Sequence, residues 1–112
     1  MIRHTEHTFL NGEYEVYDGE LIVGKALVDE GIIIQLQVHN GIEEDYRGEI
    51  LYKLLESICM DANHMNANLS IMIPSMKTQR LKRFLERFQF EETHANIFKR
   101  LAGSSVPPSV IY

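Results

Sequence analysis

The chain is poor in the features that would set it apart from ordinary globular proteins. It has one cysteine, Cys59, so no disulfide can form within the chain, and a reducing, cytoplasmic compartment is the expected setting. No apolar run approaches the roughly 18 residues a membrane span needs, and the opening Met-Ile-Arg-His-Thr-Glu lacks signal-peptide character. A soluble protein without a membrane partner is expected. Positive charge is not in excess: the net charge of -5 offers no footprint for neutralising phosphates along a polymer, so nucleic acid is not an expected partner. At 112 residues the chain is one domain, and 45% hydrophobic with 24% charged residues argues against disorder over most of it. That domain is expected over residues 1–102, with 103–112 as a flexible, partly polyproline-like tail that could dock a partner.

Turn dipeptides organise the first third. Asn11-Gly12 follows a β-prone Thr-Phe-Leu, and Asp18-Gly19 follows Tyr14 to Tyr17. Strands over Leu21 to Val28 and Ile32 to Val38 flank Asp29-Glu30-Gly31, so four strands in antiparallel meander order are expected. In the fourth, period two puts Ile32, Ile34, Leu36 and Val38 on one face, expected to be core. Asn40-Gly41 breaks the alternation before Ile42 and predicts a bulge or splay that frees backbone groups for a ligand.

Past Glu43-Glu44-Asp45 the pattern changes period. Leu51, Leu54, Leu55 and Ile58 recur at three- and four-residue steps and predict an amphipathic helix to about His64. Leu69 to Ile73 reads as a buried strand, Thr78 to Phe88 as a second helix with a basic face, and Phe90 to Leu101 as one or two final strands. The expected fold class is α/β (α+β): a mixed sheet with an antiparallel N-terminal meander, a βαβ crossover, a second helix and C-terminal strands. Cys59, next to Ile58, reads as a small buried hydrophobe, and His4 and His7 lack a third ligand, so no metal is expected.

Two stretches carry a resemblance. Glu44-Asp45-Tyr46-Arg47-Gly48 before a Leu-Leu helix, and Arg80-Leu81-Lys82-Arg83-Phe84-Leu85-Glu86-Arg87-Phe88-Gln89-Phe90, resemble the GNAT superfamily of acetyl-CoA-dependent N-acetyltransferases over roughly Leu21 to Leu101. In that family a splayed strand leads into Arg/Gln-x-x-Gly-x-Gly/Ala, whose amides at a helix N-terminus hold the pyrophosphate of coenzyme A; an anion is favoured there by free N–H groups and the helix dipole. Arg47 takes the first position and Ile42 stands where the family often has valine, but the two glycines are Ile50 and Tyr52. The second signature is commonly Phe-Tyr-Glu-Lys-x-Gly-Phe; Phe84, Glu86, Arg87 and Phe90 fit it, while its tyrosine falls on Leu85 and its glycine on Gln89. Thr78 replaces an asparagine often found seven residues before the tyrosine.

The resemblance implies acetyl-CoA as cosubstrate, held by Ile42, by Arg47, Gly48, Glu49, Ile50, Leu51 and Tyr52, and by Thr78 and Arg87, with Lys77 as a further phosphate contact. It implies direct acetyl transfer to a primary amine, a small molecule or a protein lysine or N-terminus. His39 and Glu44, near the splay, are the candidate bases. Tyr52 or Tyr46 is the candidate acid in place of Leu85. The two helices that usually wall the amine pocket have no room at Asn11-Gly12, so a second subunit in a homodimer, or an open site for a macromolecular amine, is implied. The departures at Ile50, Tyr52, Leu85 and Gln89 equally suit a GNAT-like binding or assembly module without turnover.

Overall fold

Two tight turns shape the first half of the sheet. In the computed structural model, which describes residues 9–74 and 78–108, β1 (Gly12–Asp18), β2 (Leu21–Asp29) and β3 (Ile32–Val38) form an antiparallel meander. Gly19 (φ 66°) opens the first turn, and Glu30 and Gly31 (φ 50° and 80°) make the second; the left-handed backbone matches the twist of the strands. The hairpin expected at Asn11-Gly12 is not formed. Gly12 is the first residue of β1, and Phe9 and Leu10 lie outside any strand, while Thr8 is not among the described residues. Asn11 instead accepts the Glu30 amide through its side-chain carbonyl (2.8 Å), and the Leu10 carbonyl accepts the Gly31 amide (2.9 Å). The dipeptide braces the second turn from outside.

The expected core face of β3 needs correcting. Leu27 pairs with Gln35 and Val28 with Ile33, so Ile34 is an extra residue, a bulge that shifts the phase of alternation. Ile33 is therefore buried, and Leu36 and Val38 follow it inward, while Ile32 and Ile34 are about half exposed, at 49% and 57%. The bulge sits here and not at Asn40-Gly41, which forms the turn after the strand, with Gly41 at φ 91°.

The rest of the chain completes a mixed sheet in the order β1-β2-β3-β4-β6-β5. Helix α1 (Glu44–His64) carries the chain to β4 (Leu69–Met72), parallel to β3; α2 (Thr78–Arg87) then leads to the hairpin of β5 (Glu91–His94) and β6 (Ile97–Arg100). Helix α1 turns Ile50, Leu54, Ile58 and Ala62 onto the sheet, where Val23, Ala26, Val28 and Ile33 meet them in one core cluster. Each such aliphatic side chain contributes about 1.5–3 kcal/mol of burial. Gly24 lets the helix come close: a Cβ there would fall inside the contact distance of Ile50 Cγ2 and 3.2 Å from Leu54 Cδ1. Helix α2 lies beside α1, with the Phe88 and Tyr52 rings 5.5 Å apart. No helix among the described residues is long and apolar enough to cross a membrane.

Helix α2 ends in a Schellman turn. The Phe90 amide donates to the Leu85 carbonyl (2.9 Å) and the Gln89 amide to that of Glu86 (3.0 Å), which requires the left-handed conformation that Gln89 adopts at φ 74°.

Among the described residues one charged side chain is buried. Arg100 is fully enclosed and donates to the Phe88 carbonyl (2.7 Å), the Asn63 side-chain carbonyl (3.0 Å) and the Ser104 carbonyl (2.6 Å). It thereby ties the C-terminal ends of α1 and α2 to the segment after β6. Asn63 also accepts the Gly103 amide and donates to Ser104, and Tyr52 donates its hydroxyl to the Pro107 carbonyl (2.5 Å). The segment expected to be a loose tail thus carries these bonds as far as Pro107, and 109–112 lie outside the described residues. Cys59 is buried beside this knot, and burial pushes its thiol up to about 12 against the smaller opposing pull of Arg100.

Candidate functional site

The site follows from a strand that runs out of partners. Strands β3 and β4 pair over only two positions, Ile32 with Ser70 and Ile33 with Ile71. Past Ile33 the two strands part, and a wedge of about 250 Å³ opens between them, lined by Leu36, Ile71, Ile73, Pro74 and Leu81. The His39 amide donates to the Val23 carbonyl of β2 (2.8 Å). By the alternation of a strand, Leu36 and Val38 then direct their N–H and C=O groups away from β2, into the opening.

The wedge continues into a groove of about 400 Å³ between the end of β3, the first turns of α1 and the start of α2, sharing Leu36 and Leu81 with it. Arg47, Gly48 and Arg80 line that groove. Gly48, Arg80 and Phe84 continue into a third depression, about 220 Å³, reached also by Arg83 and Arg87. The three hollows form one line, apolar at the β4 end and cationic at the α2 end. Arg80, Phe84 and Arg87 share one stripe of α2 by their three- and four-residue spacing, and the Arg87 guanidinium lies 5.9 Å from the Phe84 ring centroid.

The start of α1 is less open to an anion than its position suggests. The amides of Tyr46 and Arg47 both donate to the Glu43 carbonyl (3.0 Å each), so those of residues 48–52 lie inside the helix and serve its own hydrogen bonds. Only the amides before Tyr46 remain free, and that turn carries Glu44 and Asp45, with no side-chain cap at Glu43. Carboxylates there suit the helix dipole but repel a phosphate. Glu44 forms an ion pair with Arg80 across the groove, and Arg47 folds back to donate to the His39 carbonyl (3.0 Å).

The residues named from the sequence divide accordingly. Glu44, Arg47, Gly48 and Leu51 line the groove, and Gly48 and Arg87 the cationic depression. Ile42 is half-buried against the core, and Glu49 pairs with Lys53 (3.5 Å) on the side of α1. Ile50 and Tyr52 are buried, Ile50 against Gly24 and Tyr52 against Phe88 with its hydroxyl on the C-terminal segment, so neither lines the hollows. His39 is exposed beside the groove, its Nδ1 2.5 Å from the Asn40 carbonyl oxygen, and Tyr46 is exposed on the first turn of α1. Thr78 begins α2, with nothing described of its side chain, and Lys77, His4 and His7 lie outside the described residues. No cluster of three metal-ligating side chains gathers among the described residues. Sequence reasoning had Arg80 on the basic face of α2 without singling it out, although the helical stripe of Arg80, Phe84 and Arg87 was an available signal. It expected free backbone groups from a splay at Asn40-Gly41, whereas they belong to Leu36 and Val38, where β3 and β4 part. No protein-family model, curated protein or solved structure matches the chain.

Proposed function

We propose that the chain is an acetyl-CoA-dependent N-acetyltransferase with a GNAT-like fold, and that coenzyme A lies along the line of three hollows. The observation that carries this reading is the change of character along that line: exposed strand backbone and apolar walls where β3 and β4 part, then Arg47, Arg80, Arg83 and Arg87 at the far end. A ligand with a neutral amide-bearing arm and a phosphorylated end matches it. Amide groups of the arm would pair with Leu36 and Val38 as a strand does, and guanidinium groups would receive the phosphates. The mixed sheet, with β3 and β4 parallel across the α1 crossover and parting toward the start of α1, supports this reading.

The chemistry needs little from the protein beyond position. An amine nitrogen attacks the thioester carbonyl, the tetrahedral intermediate collapses, and the thiolate leaves with coenzyme A while the amine loses its proton. No carboxylate or imidazole lines the wedge among the described residues. Glu44 is held by Arg80 at the phosphate end, and Tyr52 is committed to Pro107. The acceptor then arrives as the neutral amine, deprotonated by solvent, and the rate rises with pH until the free amine predominates.

A second reading, a GNAT-like module that binds a partner without turnover, is favoured by one specific observation: the amides of residues 48–52 are used inside α1 behind an acidic first turn. Calorimetric titration with acetyl-CoA and desulfo-coenzyme A separates the two. Binding that weakens about tenfold in Arg80→Gln or Arg87→Gln, with thiol release on adding an amine, supports the enzyme. No binding at millimolar ligand sinks it, and binding without thiol release for any amine leaves the module.

A further inference from the structure

Resting on the acetyl-CoA reading, we infer that Glu44 sets the charge a ligand must carry, because its carboxylate occupies the guanidinium that a phosphate needs. Arg80 faces the groove from α2 and pairs with Glu44 from α1, both residues lining the same hollow. Both side chains are largely exposed, 64% and 67%, so the pair exchanges readily with solvent ions. An incoming pyrophosphate carries more negative charge than one carboxylate and takes Arg80 from it. Arg47 does not substitute in the unliganded arrangement, since its guanidinium is turned onto the His39 carbonyl.

Displacement leaves Glu44 beside the phosphate, a like-charge contact that persists in the complex. Glu44 therefore weakens every phosphorylated ligand and leaves unphosphorylated ones untouched. The chain then discriminates by charge: a monoanion gains little over the resident carboxylate, whereas a polyphosphate ester still binds. Asp45 sits one residue on and lines the outer depression, yet it has no ion pair with Arg80 and contributes only its general field.

Calorimetry on the intact chain tests this with acetyl-CoA and with S-acetylpantetheine, which has the arm but no phosphate. Glu44→Gln is expected to bind acetyl-CoA about tenfold tighter at low salt, with the gain shrinking at high salt. Its affinity for S-acetylpantetheine should not move. In an Arg80→Gln background the gain from Glu44→Gln should shrink to the part due to like-charge repulsion, because the competition for Arg80 is gone. Asp45→Asn should give a clearly smaller gain. Circular dichroism melts confirm that each variant is folded, as expected for exposed positions. If wild type binds acetyl-CoA and Glu44→Gln binds equally or more weakly, the inference fails while the enzyme reading stands. Equal gains from Asp45→Asn and Glu44→Gln also overturn it, showing a general dipole effect instead. If no variant binds acetyl-CoA, both readings fall together.

Discussion

Replacing Gly24 by alanine tests the contact that sets the height of α1 above the sheet. The new Cβ would overlap Ile50 Cγ2 and press on Leu54 Cδ1 at 3.2 Å, with the Gln37 carbonyl oxygen at 3.7 Å. Gly24 is not in the left-handed region, so the backbone accepts alanine and the unfolded chain loses freedom, worth about 0.4–1 kcal/mol in favour of folding. Overpacking against two buried side chains costs about 1–3 kcal/mol and outweighs it. Gly24→Ala should therefore destabilise by about 1.3 kcal/mol, the difference between the midpoints of those ranges. Ile50→Ala alone should cost about 2–4 kcal/mol, since it empties a site only 2% exposed. In the double variant the alanine methyl enters the space that Cγ2 leaves. The combined loss should fall short of the sum by about 1 kcal/mol or more, measured by urea unfolding of all four proteins. Additivity within about 0.5 kcal/mol, or a Gly24→Ala protein as stable as wild type, would refute the packing argument. The pair also bears on the coenzyme A proposal: the resembled family has glycine at the position of Ile50, whereas here the small residue faces it from β2.

Three further outcomes are expected. Gln89→Gly should stabilise by about 0.5–1 kcal/mol in thermal or urea unfolding, because glycine removes the strain of a left-handed residue at the end of α2 and returns only part of it as unfolded-state entropy. Arg100→Met takes one donor each from the Phe88, Asn63 and Ser104 oxygens, the last two keeping a second, and should cost about 2–4 kcal/mol, with limited proteolysis opening the segment after β6 first; unchanged stability would contradict the buried clasp. The Cys59 thiol has its folded pKa raised above that of the unfolded chain, so its contribution is complete below about pH 9 and is lost as pH rises toward 12. Stability should fall by about 1 kcal/mol between pH 9 and 10 on account of this thiol, and most of that loss should disappear in Cys59→Ala, the remainder coming from Tyr14, whose hydroxyl is also raised by burial.

Much of the architecture is legible in short segments. Asp18-Gly19 and Glu30-Gly31 need left-handed backbone and therefore mark turns wherever they occur. Leu51, Leu54, Leu55 and Ile58 define a helical face by spacing alone. The strand, helix, strand order then makes β3 and β4 parallel neighbours, as they are. Phe98 and Arg100 share a face of β6 by period two, so an arginine pointing into the core was foreseeable there, although its three carbonyl partners, from α1, from the end of α2 and from the C-terminal segment, were not. Ile34 misled because a bulge depends on how two strands register, and the alternation of Ile32, Ile34, Leu36 and Val38 looks the same with or without it. Asn11-Gly12 misled for a related reason: Gly12 is drawn into β1 and the Asn11 side chain onto the Glu30 amide, contacts set by a segment distant in sequence.

The candidate site shows the same division. Arg47, Gly48 and the break in character near Glu44 are local features, and the sequence alone put them at the start of a helix after a strand. Only the tertiary structure decided that Ile50 and Tyr52 face the core, that residues 48–52 spend their amides within α1, and that Arg80 comes across from α2 to meet Glu44. Backbone conformation and side-chain periodicity are properties of a few consecutive residues, so they can be read along the chain. The depth of a helix over its sheet, the residue where two strands part and the partner of a charge are set by volumes and distances between segments far apart in sequence, and those exist only once the chain has folded.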